Sequence, residues 1–413
     1  MRKIIICNII LIFFILSGNT FANHANEPYC FDCMHKYKIG DKKNDTYEFE
    51  FDLQDDDLSK LVNEQLKDKK TGLVSYLLWE NNKILIDQNR KSKYKKGYYP
   101  SHSVGKSLVS VVTGYAICEG YIDSVHSNID YPTVKNTLYE NQKLLNLLNM
   151  TAGDELIVGE RFFKKDNPIE GKGPNVNTIP IKKVMKRYFK GSKRYEGSGW
   201  NTTTGQVSSG LVYNYSAMTT NVIMNYVIYK TGADWKKLLH KVFVEDAKVK
   251  KRVYFGKTLR IKDGNRKGEY GRYSFWAQRY DYLRIAKLIL DHWNNDTCVG
   301  KYLKTMYENR IDKQFIQYSK FRGNHSATQS YGGQFHFDPI GINDRPILMM
   351  DGAWGQQVVI DFDNNRIITA HSTDRHYDYY SLIYLQLNQD DGQSKRKKCR
   401  KYISAEYFVL EPC

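Results

Sequence analysis

The chain has 413 residues, of which 41% are hydrophobic and 14% aromatic, enough to bury one large core or two joined ones. This composition excludes a chain that is disordered over most of its length. The formal net charge of +17 comes from lysines and arginines spread along the sequence without a nucleic-acid-binding motif, so we expect attraction to anionic envelope polymers and no binding of nucleic acid.

Residues 1–22 predict a secretory signal peptide. Arg2 and Lys3 precede an apolar run over residues 4–16, and small and polar residues follow up to Ala22. The apolar run is too short to span a membrane comfortably, and no second long run follows it. We therefore expect a periplasmic or secreted protein with no membrane anchor once the signal is removed.

Signal removal would leave six cysteines, an even number that favours disulfides in an oxidising compartment. For Cys30, Cys33 and His35 a metal site is the alternative, which we do not favour because no second ligand pair accompanies them. For Cys118 the simplest interpretation is a buried free thiol. No metal or cofactor is expected.

The order of elements predicts an α+β fold. Residues 23–45 are polar and irregular, and "GLVSYLLWENNKILIDQN" then predicts a hairpin that turns at Asn81-Asn82. A helix follows Pro100, and the pattern is mostly helical from about 120 to 330. Strand signals return in "YGGQFHF", "RPILMMDG", "QQVVIDFD" and "NRIITAHST", the last two separated by a turn at residues 363–365.

This order predicts an antiparallel sheet flanked by helices and built from both chain ends, with a mostly helical domain inserted between them. The sheet domain is expected to comprise residues 46–117 and 331–413. The helical domain is expected to comprise residues 118–330.

The segment "YYPSHSVGKSLVSVVTG" contains a Gly-Lys-Ser triplet, which raises the question of a phosphate-binding loop. Such a loop needs a glycine five residues before Gly105, so that successive backbone N–H groups surround the phosphates. Pro100 occupies that position. Because proline has no N–H and a fixed φ, the phosphate-binding interpretation fails.

Ser103 and Lys106 form a Ser-x-x-Lys motif at a predicted helix start. A spacing of three places both side chains on one helix face, where a lysine of lowered pKa can remove the serine proton. The same spacing recurs at Ser92–Lys95 and Ser394–Lys397, but in polar basic runs. Only Ser103 is followed by an apolar helix; a purely structural N-cap at Ser101 or Ser103 is the alternative.

Five segments occur in an order that resembles the serine β-lactamase and penicillin-binding-protein superfamily. They are the Ser103 motif with its helix, "LLNMTAG", "VYNYSAMTTNV", "YDYLRIAKLIL" and "DGAWGQQVVID". The likeness is greatest to class C β-lactamase-like serine hydrolases, the branch with esterases and 6-aminohexanoate-dimer hydrolases, over roughly residues 70–375. The resemblance implies the β-lactamase/transpeptidase-like fold and Ser103 as the nucleophile.

The second motif of this family is a tyrosine, then Ser or Ala, then Asn. Tyr215, Ser216 and Ala217 match it, so the resemblance implies that Tyr215 moves protons together with Lys106. The usual Asn is replaced by Ala217, which removes one hydrogen-bonding group. Tyr213 is the competing assignment for the tyrosine.

The third motif is Lys or His, a small residue and Gly, on the strand that lines the site. Ala353, Trp354 and Gly355 match it, so the cation that commonly holds a substrate carboxylate is absent. The resemblance therefore implies an apolar substrate pocket at these three residues, with simple packing as the alternative for Trp354. It also implies an oxyanion hole formed by the backbone N–H groups of Ser103 and Gln356.

The resemblance implies acyl transfer through Ser103, Lys106 and Tyr215, on an ester or linear amide in a small-molecule or peptide-like substrate. A β-lactamase or D-alanyl-D-alanine carboxypeptidase is the enzymatic alternative. A non-catalytic envelope-binding protein of the same fold is the second alternative.

In this family both chain ends belong to the sheet domain. Cys118 and Cys298 fall in the helical region and are expected to be thiols unless the fold brings them together. The chain ends are expected to be joined by a disulfide between Cys30 or Cys33 and Cys399 or Cys413. A local bridge between Cys30 and Cys33 is the alternative.

Overall fold

A computed structural model describes most of the chain from residue 35 onward. The described residues are 35–68, 71–154, 181–193, 199–200, 207–208, 213, 215–257, 270–313, 328–342, 345–373 and 380–387. The predicted signal peptide, Cys30, Cys33, Cys399, Cys413 and the Ser394–Lys397 motif lie outside these residues.

Fifteen strands lie in the described residues. Their bounds are β1 His35–Ile39, β2 Glu50–Phe51, β3 Leu73–Glu80, β4 Lys83–Asn89, β5 Tyr98–Pro100, β6 Gly199–Trp200, β7 Val207–Ser208, β8 Val253–Lys257, β9 Gly271–Gln278, β10 Ile311–Asp312, β11 Thr328–Gly332, β12 Phe335–Pro339, β13 Ile347–Gly352, β14 Gln356–Asp361 and β15 Arg366–Ser372.

The helices of the described residues connect and cover these strands. Their bounds are α1 Asp57–Lys67, α2 Ser92–Lys95, α3 Val104–Cys118, α4 Leu144–Leu148, α5 Ile181–Val184, α6 Ala217–Thr231, α7 Trp235–His240, α8 Arg279–Asn294, α9 Cys298–Glu308 and α10 Tyr380–Leu387. Short 3-10 segments span Pro132–Val134 and Gly232–Asp234, and π-helical segments span Met185–Phe189 and Lys241–Asp246.

The main sheet has nine strands in the order β10-β11-β12-β13-β14-β15-β3-β4-β2. Its centre joins the two ends of the chain, because β15 pairs antiparallel with β3 from Arg366 opposite Glu80 to Ala370 opposite Tyr76. The prediction of an antiparallel sheet built from both ends is confirmed. Within the described residues, its neighbouring strands pair antiparallel except for the short parallel contact of β2 with β4.

The predicted hairpin at Asn81-Asn82 is also confirmed. Both residues adopt positive φ, 47° and 70°, as a two-residue turn between β3 and β4 requires, and asparagine tolerates this conformation better than most residues. Asn365 has φ 47° in the turn between β14 and β15. Turn chemistry therefore located two of the sheet's connections.

The main sheet is covered on both faces. On one face α1 and α10 pack over a cluster that includes Leu58, Val62, Tyr76 and Ile368. On the other face lie α3 and α8, which belong to the larger core. Every residue of α3 from Val104 to Ala116 is buried, so this helix runs through the protein between the sheet and the rest of the fold.

A second sheet has the order β1-β8-β9-β5, and sequence reasoning missed most of it. β1 lies in the segment expected to be irregular, and β8 and β9 lie in the region expected to be helical. The alternation of buried Tyr37 and Ile39 with exposed neighbours in β1 is a strand pattern. In β9 the run "GRYSFWAQ" is rich in aromatic residues that favour strands.

The expectation that Cys118 and Cys298 are thiols is wrong. Their sulfur atoms form a disulfide across 180 positions of sequence. The reason is the packing of α3 against α9: a Cβ at Gly114 would come within 2.6 Å of the Tyr302 ring, and the Ser110 and Tyr302 hydroxyls hydrogen-bond at 2.7 Å. This close approach brings the end of α3 to the start of α9.

No helix in the described part of the chain is both long enough and apolar enough to cross a bilayer.

Candidate active site

Ser103 lies at the start of α3, directly after the strand β5. Ser101 fixes this approach to β9, since its N–H donates to the Phe275 carbonyl at 2.7 Å and its Oγ accepts from the Phe275 N–H at 2.9 Å. His102 has φ +46°, a strained conformation for a non-glycine residue. Ser103 occupies the N-cap position, but its side chain makes no capping hydrogen bond. The hydroxyl is therefore directed elsewhere.

Gly105 of the Gly-Lys-Ser triplet has a packing role. A Cβ at this position would lie 1.9 Å from the carbonyl oxygen of Tyr273 in β9 and 2.7 Å from Oγ of Ser101. Only glycine lets the first turn of α3 approach the β9 backbone this closely. The triplet thus reflects the packing of a helix on a strand, in agreement with the exclusion of a phosphate-binding loop.

Lys106 and Ser103 lie within hydrogen-bonding distance, with Nζ of the lysine 2.7 Å from Oγ of the serine. The lysine is 2% exposed, and this burial lowers its pKa to about 7, against a smaller opposing effect of Asp351. The aromatic rings of Tyr215 and Tyr273 also contact the lysine, with ring centroids 4.5 and 4.3 Å from its Nζ. With this pKa a sizeable fraction of Lys106 is neutral at pH 7 and able to accept a proton.

Tyr215 lies beside the same two residues. Its hydroxyl hydrogen-bonds with Ser103, and burial nonetheless raises the pKa of Tyr215 above its ordinary value. Tyr213 packs instead on Tyr331, with ring centroids 5.1 Å apart, in a cluster with Met150. Of the two tyrosines weighed from the sequence, the structure places Tyr215 next to Ser103 and Tyr213 behind it.

Asp154 supports the position of Tyr215, a role that sequence reasoning missed. This buried carboxylate accepts hydrogen bonds from Ser216 Oγ at 2.5 Å, Thr219 Oγ1 at 3.0 Å and Tyr139 OH at 2.5 Å. Ser216 is the N-cap of α6, and its Oγ also accepts from the backbone N–H of Thr219. The aspartate thereby fixes the helix start that follows Tyr215. Its place directly after "LLNMTAG" was the available signal.

The residues matched to the third motif lie in a turn and not on a strand. Ala353, Trp354 and Gly355 connect β13 to β14, and Trp354 and Gly355 have φ of 67° and 69°. The residues that end β13 are Asp351 and Gly352. A Cβ at Gly352 would lie 2.3 Å from the Ser101 carbonyl oxygen, so the strand end lies against the segment that leads to Ser103.

Gln356, expected to supply a backbone N–H to an oxyanion hole, is the first residue of β14 and pairs with Gly352. Its side chain donates to the Trp354 and Ser372 carbonyls at 2.9 and 2.8 Å, and its Oε1 lies 2.8 Å from Nδ1 of His371. These contacts hold the turn in place. The assignment of the Gln356 N–H to an oxyanion hole stays a prediction.

Two residues before Ala353, the position of the missing cation, lies the carboxylate of Asp351, with a second buried lysine near it. Asp351 interacts electrostatically with Lys106 and with Lys313, raising the pKa of each against the larger effect of burial. Nζ of Lys313 lies 2.5 Å from Thr328 Oγ1 and 3.4 Å from Nδ1 of His336, and burial lowers its pKa to about 7. The sequence pattern gave no sign of this second lysine.

A cavity of about 120 Å³ opens beside the candidate nucleophile. Ser103, Ala353, Asn221, Arg272 and Trp276 are among the residues that line it. Ala353 is thus at the cavity wall as expected, whereas Trp354 and Gly355 are not among the described residues that line it. No group of three or more His, Cys, Asp or Glu side chains that could hold a metal ion occurs in the described residues.

Comparison with solved structures gives one consistent architecture. The chain has the β-lactamase/transpeptidase-like fold of serine β-lactamases and penicillin-binding proteins. A protein assigned as a 6-aminohexanoate-dimer hydrolase from Bacillus anthracis superposes with a TM-score of 0.58 at 13% identity, covering 86% of this chain and 90% of that chain. The fold expected from the motifs is therefore observed.

Two further structures agree. One is assigned as a β-lactamase from Bacteroides dorei, with a TM-score of 0.55, 13% identity, and coverage of 78% of this chain and 92% of that chain. The other is a D-stereospecific amidohydrolase from Streptomyces, with a TM-score of 0.53, 11% identity, and coverage of 80% and 98%. No protein-family model and no curated protein matches the sequence.

Proposed function

We propose that this protein is an exported serine hydrolase that forms an acyl-enzyme on Ser103 from an ester or linear amide. The observation that carries the proposal is the pair of Lys106 Nζ and Ser103 Oγ, 2.7 Å apart at the start of a buried helix. A lysine of pKa about 7 beside a serine hydroxyl is the arrangement that activates a serine for nucleophilic attack. The shared fold with serine hydrolases supports this chemistry.

Acylation begins when Oγ of Ser103 attacks the substrate carbonyl carbon while its proton passes to Nζ of Lys106. The carbonyl π electrons move to oxygen, and the N-terminal end of α3 favours the resulting oxyanion. The bond to the leaving group then breaks, and the alcohol or amine leaves with a proton supplied by Lys106 through Tyr215. An ester between Ser103 and the substrate acyl group remains.

Deacylation repeats these steps with water as the nucleophile. A water molecule adds to the acyl carbon and gives its proton to the neutral base. The bond between the acyl carbon and Oγ then breaks, Oγ regains a proton, and the carboxylic acid departs. The opposite pKa directions support these roles, with Lys106 as the group that accepts a proton near neutral pH and the protonated phenol of Tyr215 as the group that donates one.

An active-site-directed fluorophosphonate is expected to label Ser103 and no other serine of α3. Oγ displaces fluoride from phosphorus, which adds the phosphonyl mass to the intact protein, and peptide mapping locates it. Ser107 provides an internal control, because it is buried and its Oγ already donates its proton to the Gln334 carbonyl at 2.7 Å. A protein that folds but takes up no label would support the non-catalytic alternative.

A substrate panel then distinguishes the enzymatic alternatives. We expect turnover of short-chain esters or linear amides, and a β-lactamase or carboxypeptidase would instead be marked by a stable acyl-enzyme with fluorescent penicillin or by its hydrolysis. Ala353 takes the place of the cation that related enzymes commonly use, and the carboxylate of Asp351 two residues before it is unfavourable for a penicillin carboxylate bound near that point.

The pH dependence of acylation is expected to follow Lys106. Because only the neutral amine accepts the serine proton, kcat/KM should rise with pH through an apparent pKa near 7 and then level off. The Asp351 carboxylate favours the ammonium form, so Asp351→Asn should lower this apparent pKa and move the rising limb to lower pH. The asparagine keeps an oxygen that can accept the Gln357 hydrogen bond.

The matched control is Asp130→Asn, which removes a carboxylate that pairs with Lys230 on the surface and should leave the limb in place. The measurement is the pH profile of ester hydrolysis for the three proteins under identical salt. A limb that moves to higher pH in Asp351→Asn, or a wild-type limb well away from neutrality, contradicts the assignment of Lys106 as the base.

A further inference from the structure

The cavity beside Ser103 is a small space between two structural elements. Its walls come from the segment Pro100–Ser103 on one side and from residues 272–276 of β9 on the other. At about 120 Å³ it is somewhat smaller than the 150 Å³ cavity that accommodates benzene in another protein. The space inside it therefore fits a substituent of about five or six heavy atoms.

The charge of the cavity wall is of one sign, positive. Among the described residues that line it, Arg272 carries a permanent charge and no residue is acidic. Arg272 is 7% exposed, so it belongs to the wall and not to the solvated surface. Its guanidinium offers several N–H donors in a planar fork that matches a carboxylate. Asn221 and Ser274 add polar side chains to the same lining.

A second positive charge lies next to this wall. Trp276 lines the cavity, and Nζ of Lys36 lies 6.0 Å from the Trp276 ring centroid and 5.6 Å from the Tyr254 ring centroid. Arg272 thus lines the cavity, and Lys36 places a second positive charge against Trp276, another of its wall residues. The carboxylate that acts on Lys106, Asp351, comes from β13 and is not among the described residues that line the cavity.

We propose that this cavity is a subsite for a negatively charged group of the substrate, with Arg272 as its countercharge. The inference rests on the proposed hydrolase function and names its substrate class: short esters or linear amides that carry a carboxylate close to the scissile carbonyl. The absent third-motif cation suggested an apolar pocket at Ala353. The cavity wall at β9 instead supplies a cation from a different element.

Two matched substrate pairs test the charge preference on either side of the scissile bond. On the acyl side, monoethyl succinate is compared with its neutral analogue ethyl succinamate. On the leaving-group side, acetoxyacetate is compared with 2-acetoxyacetamide. In each pair the shape is nearly conserved and only the charge differs, so the ratio of kcat/KM within a pair isolates electrostatic recognition.

Wild-type protein is expected to favour the anionic member of at least one pair. Arg272→Met should raise KM for that anionic substrate by about 10- to 100-fold and leave the neutral member within about threefold. Arg272→Lys keeps the charge without the fork and should lie between the two. Added salt should reduce the preference of the wild type.

Lys301→Met is the control for net charge. It removes one positive charge from an exposed residue of α9, the helix joined through Cys298 to the opposite end of α3 from Ser103. Its substrate preference should equal that of the wild type. Circular dichroism checks that each variant is folded, and Arg272→Gln replaces Arg272→Met if the methionine variant is not.

The inference is overturned if folded wild-type protein shows no preference in either pair, or if Arg272→Met impairs the charged and neutral members equally. A binding measurement separates this failure from failure of the proposed function. Calorimetric titration of Ser103→Ala with monoethyl succinate and acetoxyacetate reports the subsite without turnover. Arg272-dependent binding there, with no hydrolysis by the wild type, would refute the hydrolase and retain the subsite.

Discussion

Ser103→Ala is expected to lower kcat/KM for the best ester substrate by about 10⁴-fold or more, since the variant has no oxygen to form the acyl-enzyme. The fold should persist. Oγ of Ser103 contacts Lys106 and Tyr215 and makes no capping bond to α3, so its removal opens little space. We expect the free energy of unfolding to change by about 1 kcal/mol or less.

Two serines provide matched controls. Ser107→Ala removes the buried hydrogen bond to the Gln334 carbonyl, so it should destabilise the protein by about 1–2 kcal/mol and leave kcat/KM within a few-fold. Ser92→Ala alters the other described Ser-x-x-Lys, whose serine is exposed in the short helix α2, and should change neither property. Hydrolysis by Ser103→Ala at the wild-type rate would refute the nucleophile, whatever the controls show.

Lys106 was predictable as a neighbour of Ser103 because a spacing of three on one helix is visible in the sequence, and burial of α3 follows from its apolar content. Tyr215 was predictable only through the resemblance of Tyr215, Ser216 and Ala217 to the second motif of the superfamily. The sequence does not show that the pKa of Lys106 is lowered while the pKa of Tyr215 is raised. The lowered pKa depends on desolvation of Lys106 by residues from several elements, including Tyr273 of β9.

The features that sequence reasoning missed depend on chain segments far apart in sequence. Arg272 is one of 62 lysines and arginines, and nothing in its local pattern separates it from a solvated charge. It reaches the cavity because β9 pairs with β5, the strand directly before Ser103. Asp154 reaches Ser216 across 62 positions. Such contacts follow from strand order and helix packing, which a single sequence does not specify.

The third motif was matched by residue order alone, and this explains the difference in its placement. Trp354 and Gly355 with positive φ form the turn, whereas Asp351 and Gly352 form the strand end. The tight contact of Gly352 with Ser101 is what places the strand end beside the site. The order Gly352, Trp354, Gly355 does not show by itself which of these residues ends the strand and which form the turn.

Removal of the Cys118–Cys298 disulfide is expected to lower the free energy of unfolding by about 2–5 kcal/mol. The bridge closes a loop over 180 positions of sequence, and the chain-entropy relation gives about 5 kcal/mol for a loop of that length. The lower figure allows for residual structure in the unfolded chain. The double variant Cys118→Ser/Cys298→Ser avoids leaving an unpaired thiol, and urea denaturation of protein produced in an oxidising compartment measures the difference.

Reduction provides the internal control for this prediction. A reductant should destabilise the wild type by about as much as the double substitution does, and it should have little further effect on the double variant; a large further loss would reveal bridges among the other cysteines. Hydrolysis at 25 °C should be retained, because the bridge lies at the opposite end of α3 from Ser103. Equal stability of oxidised wild type and double variant, or free thiols at both positions by alkylation and mass spectrometry, would show that the packing of α3 on α9 holds these ends together without a covalent bond.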